Sequence, residues 1–514
     1  MTVAAYDEKK AKDPSTTSAA YDFMLPKWRM LNTLLGGTSA MRAAGKVYLP
    51  QHPHESDPNY RDRLNATTLL NMTELTLDAL VGKPFSDDVS VKDAPEELED
   101  FLEDVDMQSN NLHVFCRSWF REGLAKSFAH VLIEMPRLTM MPDGRQRTMA
   151  DDQNEGVRPY WSLISPENVI FMGYTTVNGA LEPDHIRIME STVERVGFTE
   201  VTVNRIRVLT PGWWELLEER MDQRTKKAVW VSVDGGETGL NYIPWVTFYS
   251  NQDGNMTGKP PLEDLGYLNV AHWQSTSDQR NILTVARFPM LAVSGAHDTP
   301  NNDVMVIGPR QLLATRAENG KFYYVEHTGK AIEAGANDLD KLEQDMAAYG
   351  AEFLRKRPGG QTATARALDS AEATSPLQDM TFRFIDSVES ALWITADLMG
   401  LAEKDMEVKI TTDFGPDEVK DVDLRTLAEA RRNRDISRKH FTDELKRRGS
   451  LSDDFDNEKN VEELQNEPEI VSPFATGVNV DGSAGANVDN KTKKPQKKPQ
   501  KKAAEDDKTT EDAG

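Results

Sequence analysis

The sequence holds 514 residues, and its 84 acidic side chains outnumber its 60 basic ones to give a formal charge of −24. That balance excludes tight, phosphate-led binding of nucleic acid by the chain as a whole, which needs clustered Lys and Arg. It does not exclude an acidic wall that DNA slides past. No uncharged apolar run is long enough to cross a membrane, the polar start MTVAAYDEKKAKDPSTTSAAYD has no signal core, and the lone Cys116 excludes an internal disulfide framework.

Residues 1–20 are small, polar and charged, and read as disordered. Tyr21 to Leu35 has helical spacing with Trp28 and Leu31 on one face, stopped by Gly36-Gly37. Pro50, Pro53 and Pro58 break the next stretch into a loop, and helical spacing resumes from Tyr60 to Val81. His52, His54, Glu55 and Asp57 gather in that loop. Their spacing matches no zinc or two-metal pattern, so a solvated loop is the simpler reading. Asp93 to Asp106 reads as an acidic helix with Leu98, Phe101, Leu102 and Val105 as its apolar stripe. Asn110 to Ala129 reads as a helix running into the strand HVLIEM, and Cys116 within it reads as a small buried hydrophobe.

From residue 157 to 250 the pattern changes to short β-rich runs divided by Gly, Pro, Asn and Asp, which predict an antiparallel or mixed sheet. Trp213, Trp214, Trp230 and Trp245 read as core and sheet-face packing, because no basic residues interleave them as a base-stacking platform would require. Pro260-Pro261 then opens a helix, Leu262 to Arg287, about 39 Å long. Its ends are apolar, but its middle, QSTSDQRN, shows no stripe. Such a pattern suits helices packed between copies of one chain with a face on a wet channel. PMLAVSG, DVMVIG and KFYYVEH are strand-like pieces, and a second helix follows, Asp338 to Lys356.

A Pro-Gly-Gly loop comes next and feeds a pattern that reads as one helix from Thr364 to Gly400, about 55 Å long. Its first half is built of small residues. Its second half carries Leu377, Met380, Phe384, Val388, Ala391, Thr395 and Leu398 at steps of three or four. Pro376 falls inside it and predicts a kink. EVKITTDF is one more strand. Residues 416–465 are helical and rich in both charges, and residues 466–514, with KTKKPQKKPQKK, are disordered by composition.

The glycine loop lacks the spacing and the Lys of a phosphate cradle, and GxSxG, HExxH, CxxC and GxGxxG are all absent. The expectation is a structural protein, not an enzyme, with no cofactor and no metal.

The order of these parts resembles the portal proteins of tailed double-stranded DNA bacteriophages, the head-to-tail connectors, over residues 20–450. So do Trp28 followed by GKVYLP, NYRDRL and LVGKPF, and later VARFPMLAVSGA and TATARALDSAEATSPL. The resemblance implies an α+β portal fold. Its wing would comprise residues 21–261 and, with a long kinked spine helix, 364–415. Stem helices would occupy 262–287 and 336–356, a small β-containing clip 288–335, a tunnel loop 357–363 and a helical crown 416–465. It implies a ring, usually a dodecamer, at one capsid vertex of the virion, assembled in the host cytoplasm. The ring would be the channel for packaging and ejecting DNA. Implied partners are the terminase large subunit, the head-to-tail adaptor, the major capsid and scaffolding proteins and the double-stranded DNA in the channel, with no membrane. Lys356, Arg357, Gly359, Gly360, Gln361, Thr362 and Arg366 would face the DNA, and Pro376 would mark the helix kink. Two other readings stand beside it: another virion protein, such as a minor head or scaffold-like component, and an acidic metal-dependent nuclease.

Overall fold

The computed structural model describes residues 12–136, 156–222, 224–287, 290–294, 320–325, 329–354, 375–401, 406–412, 414, 426–447, 451 and 459–460. The chain divides into two units, Met1–Gly415 and Pro416–Gly514.

In the first unit Ser18 starts helix α1 (Ala19–Leu35), its hydroxyl accepting from the Tyr21 N–H. Residues 12–17 before it hold a fixed conformation where disorder was expected; residues 1–11 lie outside the described residues. The Ser18 N–H donates to the Ile170 carbonyl at 2.9 Å, and Arg187 donates to the Pro14 carbonyl at 2.6 Å. These bonds tie residues 12–20 to the sheet. Helix α2 (Gly37–Ala44) follows. The single helix expected from Tyr60 to Val81 is two, α3 (Asp57–Ala66) and α4 (Met72–Gly82). Thr67 leaves α3 in an extended conformation, and the Asn71 side chain caps α4 by accepting from the Glu74 N–H.

Strand β1 (Ser90–Lys92) precedes the acidic stretch. There only helix α5 (Glu99–Glu103) and the turn before it form, yet Leu98, Phe101 and Val105 are buried as the stripe required. Helix α6 (Leu112–Lys126) ends at Ser127, which turns the chain into β2 (Phe128–Glu134). Strands β3 (Tyr160–Ile164), β4 (Val169–Val177), β5 (Ala180–Val196), β6 (Thr199–Thr210), β7 (Trp213–Met221), β8 (Ala228–Glu237) and β9 (Trp245–Tyr249) form two antiparallel sheets, ordered β3-β2-β9 and β4-β5-β6-β7-β8. The strands of the second sheet are longer than the sequence suggested; β5 alone has 17 residues. Asn178 and Gly179, both at positive φ, form the tight turn from β4 to β5.

Helix α7 (Glu263–Ala286) leads into β10 (Met290–Ser294), and β11 (Lys321–Val325) leads back into helix α8 (Lys330–Glu352). The two strands pair antiparallel from Met290↔Val325 to Ser294↔Lys321. Helix α9 (Pro376–Leu398) and strand β12 (Glu407–Lys409), which pairs with β1, complete the unit. The second unit contributes helix α10 (Arg438–Arg447). The fold is thus mixed helix and antiparallel sheet, α+β, and no helix among the described residues is long and apolar enough to cross a membrane.

Pro376 does not kink a helix. Ser375 before it is extended (φ −79°, ψ 156°), so α9 begins at Pro376. The Ser375 hydroxyl accepts from the Gln378 N–H, and the Gln378 side chain accepts from the Ser375 N–H, a reciprocal capping box. Proline belongs at this first helical position, where its missing N–H would have no partner inside the helix. Residues 364–374, the expected first half of the long helix, lie outside the described residues.

The larger core gathers α4, α6, β2, β9 and α9. At its centre Phe384 meets Phe85, Trp119, Phe120 and Phe248, with ring centroids 4.9–6.1 Å apart. A smaller core packs Met24 and Trp28 of α1 against Phe128, Val169, Ile186 and Ile188. Cys116 is fully buried, and burial pushes its thiol well above the ordinary range.

Candidate functional site

The paired helices α7 and α8 are the part of the chain whose construction asks for an explanation. The first turn of α7 places Glu263 and Asp264 at the positive end of the helix dipole. Lys27 pairs with Glu263 at 3.3 Å and Lys259 with Asp264 at 2.7 Å. From there three contacts fix α8 antiparallel to α7. His272 Nε2 lies 3.3 Å from Glu343, the Ser275 hydroxyl donates to Asp338 at 2.7 Å, and the Gln279 amide donates to the Ile332 carbonyl at 2.8 Å. Gly335 makes the last approach possible, because a Cβ there would collide with the Gln279 side chain. On α8 the residues Leu339, Leu342, Met346 and Tyr349 recur at steps of three or four, and Met346 is fully buried. The Tyr349 hydroxyl donates to the Pro261 carbonyl at 3.0 Å.

Other polar residues of α7 bind the N-terminal segment. Asn269 is fully buried. Its carbonyl oxygen accepts from the Thr73 N–H (3.1 Å) and hydroxyl (3.0 Å), and its amide donates to the Leu70 carbonyl (2.8 Å). Gln274 donates to the Tyr48 carbonyl and Arg280 to the Ala66 carbonyl. The polar middle QSTSDQRN therefore needs no second copy to explain it: much of it is spent on bonds within one chain.

A further contact with α7 runs through Arg63, whose side chain is 2% exposed. Nε and Nη2 grip the Glu55 carboxylate at 2.9 and 2.8 Å. Nη1 donates to the Ser277 hydroxyl at 3.2 Å and lies 3.7 Å from Asp278, and Nη2 also donates to the Pro50 carbonyl. His52 Nε2 is 3.1 Å from the same Asp278. The hydrogen bonds from Arg63 hold the Glu55 carboxyl down at about 2. So the loop that gathers His52, His54, Glu55 and Asp57 is not simply solvated. Two of the four join an arginine clamp onto α7, while Asp57 accepts from Gln51. Among the described residues no group of three or more His, Cys, Asp or Glu side chains is placed to hold a metal.

The other residues singled out by the sequence fall in different places. Lys356, Arg357, Gly359, Gly360, Gln361, Thr362 and Arg366 lie outside the described residues. Trp245 is buried against His130 in the smaller core, and burial pushes His130 down to about 3. Trp214 and Trp230 are partly buried, and Trp213, 47% exposed, lies on the sheet and outside the core. Arg63 and Asn269 escaped sequence reasoning, because their partners lie up to 214 residues away.

The family described as a domain of unknown function, DUF4055, matches residues 261–399, which run from the start of α7 through α9. No curated protein matches the chain. Among solved structures it is similar to a chain of "Neck of empty GTA particle computed with C6 symmetry", with 13% identity, a TM-score of 0.35 and coverage of 77% of this chain and 90% of that one. It is also similar to a chain of "Virion of native gene transfer agent (GTA) particle", at 11% identity and TM-score 0.35, with the same coverage. A chain of "Neck of native GTA particle computed with C12 symmetry" matches at 12% identity and TM-score 0.33, covering 84% of this chain and 99% of that one.

Proposed function

We propose that the chain is the subunit of a bacteriophage portal ring, the channel through which DNA enters and leaves the capsid. The observation that carries this reading is the unit formed by α7, β10, β11 and α8. Two antiparallel helices of 24 and 23 residues are continued at one end by a two-stranded ladder. In a portal they are the two stem helices and part of the clip, and the helix-and-sheet body before them is the wing. The polar bonds that lock α7 to α8 and to the N-terminal helices suit a strut that must hold its register under load. On this reading the clip receives the terminase large subunit and later the head-to-tail adaptor. Lys356, Arg357, Gln361, Thr362 and Arg366 line the narrowest part of the channel. Subunits at −24 each give the ring a negative field that disfavours tight phosphate binding and lets DNA slide. The protein performs no hydrolysis of its own.

Electron microscopy of the purified full-length chain tests this. Rings with a central hole and a countable rotational symmetry are expected. A monomer, or a shell-like assembly, would overturn the reading.

A further inference from the structure

The sheet ordered β3-β2-β9 has one closed edge and one open edge. On β3 the outward Trp161 N–H donates to the Val105 carbonyl at 2.7 Å. On β9 the alternation of an antiparallel ladder decides which groups face out. The Ile133 N–H donates to the Pro244 carbonyl and the Ser250 N–H to the Ser127 carbonyl, both at 2.9 Å. In that register Val246 and Phe248 spend their main-chain groups on β2. The Thr247 N–H and carbonyl and the Trp245 carbonyl point the other way. None of the three has a hydrogen-bond partner among the described residues. The Thr247 hydroxyl is held by His130 at 2.9 Å and by Trp245 Nε1 at 3.1 Å, so this edge is already in place for pairing. An open row of ladder groups is a template for a further strand.

The edge runs along a groove of about 840 Å³. Helix α9 lies on the Val246 and Phe248 face, with the Phe248 and Phe384 rings 4.9 Å apart, and lines the groove with Trp393 and Ile394. Trp393 stays 45% exposed, while Leu392 and Ile394 beside it are buried. The turn from β4 to β5 lines the other side with Glu182 and Pro183. Side chains of a strand alternate between its faces. A residue added opposite Thr247 would therefore face the Glu182 wall, and its neighbours the Trp393 wall.

Charge narrows the occupant. Glu182 and Glu389 line the groove, and no Lys, Arg or His does. Glu389 accepts from the Val408 N–H at 3.0 Å, whereas Glu182 has no partner among the described residues. The walls call for basic side chains towards Glu182 alternating with apolar ones towards Trp393. The basic run KTKKPQKKPQKK of this chain lacks that pattern: it has no apolar alternation, and its prolines lack the N–H that a ladder needs.

We propose that β9 takes an extended segment of a partner protein as a fourth strand, with Lys or Arg facing Glu182 and apolar side chains facing Trp393. The contact does not depend on the ring reading.

The test titrates the full chain into the fluorescein-labelled peptide Arg-Val-Arg-Val-Arg-Val and reads anisotropy. Binding is expected, and Glu182→Gln and Trp393→Ala should each weaken it about tenfold or more. Glu182→Gln should leave the unfolding midpoint in place, because that carboxylate bonds to nothing in the folded chain. The peptide N-methylated at its arginines should lose binding, since those N–H groups meet β9, and the peptide N-methylated at its valines should keep it. Amide exchange at Thr247 should be fast in the chain alone and slow with peptide bound. A peptide that does not bind, that binds Glu182→Gln equally well, or that leaves Thr247 exchange unchanged would overturn the proposal. Slow exchange at Thr247 without peptide would overturn it too. If seen only in assembled copies, it would give the groove to a second copy; if seen in the dissociated chain, to a segment of this chain.

Discussion

Helices α7 and α9 are almost the same length, 24 and 23 residues, and are held by a different balance of contacts. α9 is fixed by burial: Leu377, Phe384, Val388, Ala391 and Leu392 are all fully buried, with the aromatic cluster around Phe384. α7 also buries Leu265 and Trp273, but it adds direction: Asn269, His272, Gln274, Ser275, Gln279 and Arg280 each reach a named partner on another element or loop. Apolar packing tolerates small slides, since one methyl contact replaces another. A row of hydrogen bonds does not, since a slide leaves donors and acceptors unpaired, at the greatest cost where they are buried, as at Asn269 and Thr73. The two helices therefore divide the work: α9 supplies cohesion and α7 supplies register.

The largest effect should come from the apolar side. Phe384→Ala removes a fully buried ring that meets four others and should lower the unfolding free energy by about 3–5 kcal/mol, measured by denaturant titration. A loss below about 1 kcal/mol would mean that α9 is not the centre of the core.

The polar side should answer next, and in a way that depends on pH. Arg63→Met strands the Glu55 carboxylate in a buried place and should cost about 3 kcal/mol at neutral pH. Glu55 is held at about 2 against its ordinary 4.5, so in the wild type the clamp's contribution is complete above pH 4.5. It is lost as pH falls from 4.5 towards 2, where the unfolded chain binds the extra proton. The variant should lose this slope, and acid titrations of both proteins followed by circular dichroism compare them directly. Equal slopes would break the claim that Arg63 holds the Glu55 carboxyl down.

How much of this could be read from the sequence follows the same division. The stripe from Leu377 to Leu398 is periodic, and periodicity is local, so that half of the expected long helix was legible with its inward face. The bounds of α7 were legible too, because Pro260-Pro261 marks its start. Its bonds were not. Arg63 and Ser277 are 214 residues apart, and nothing in either neighbourhood names the other. Residues 60–81 misled because the apolar spacing of α3 carries over into α4, and the break rests on Thr67 and the capping role of Asn71. The lengths of β5 and β6 were underread for a related reason: pairing with neighbours sustains strands past the point where propensity fades.

The smallest effects test the start of α9, where a sequence signal was present and misjudged. Ser-Pro-Leu-Gln at 375–378 is a capping box with proline at the first helical position. Ser375→Ala should cost about 1 kcal/mol by leaving the Gln378 N–H without its side-chain partner. Pro376→Ala should change stability by less than about 1 kcal/mol. It frees the unfolded chain slightly and adds an N–H that α9 itself does not engage. A proline inside a continuous helix behaves otherwise: replacing it by alanine would restore a hydrogen bond, relieve a clash and raise stability by about 3 kcal/mol. Thermal and denaturant unfolding of this one variant separates the two structures by the size of the change, and a gain of that size would return Pro376 to the middle of a longer helix.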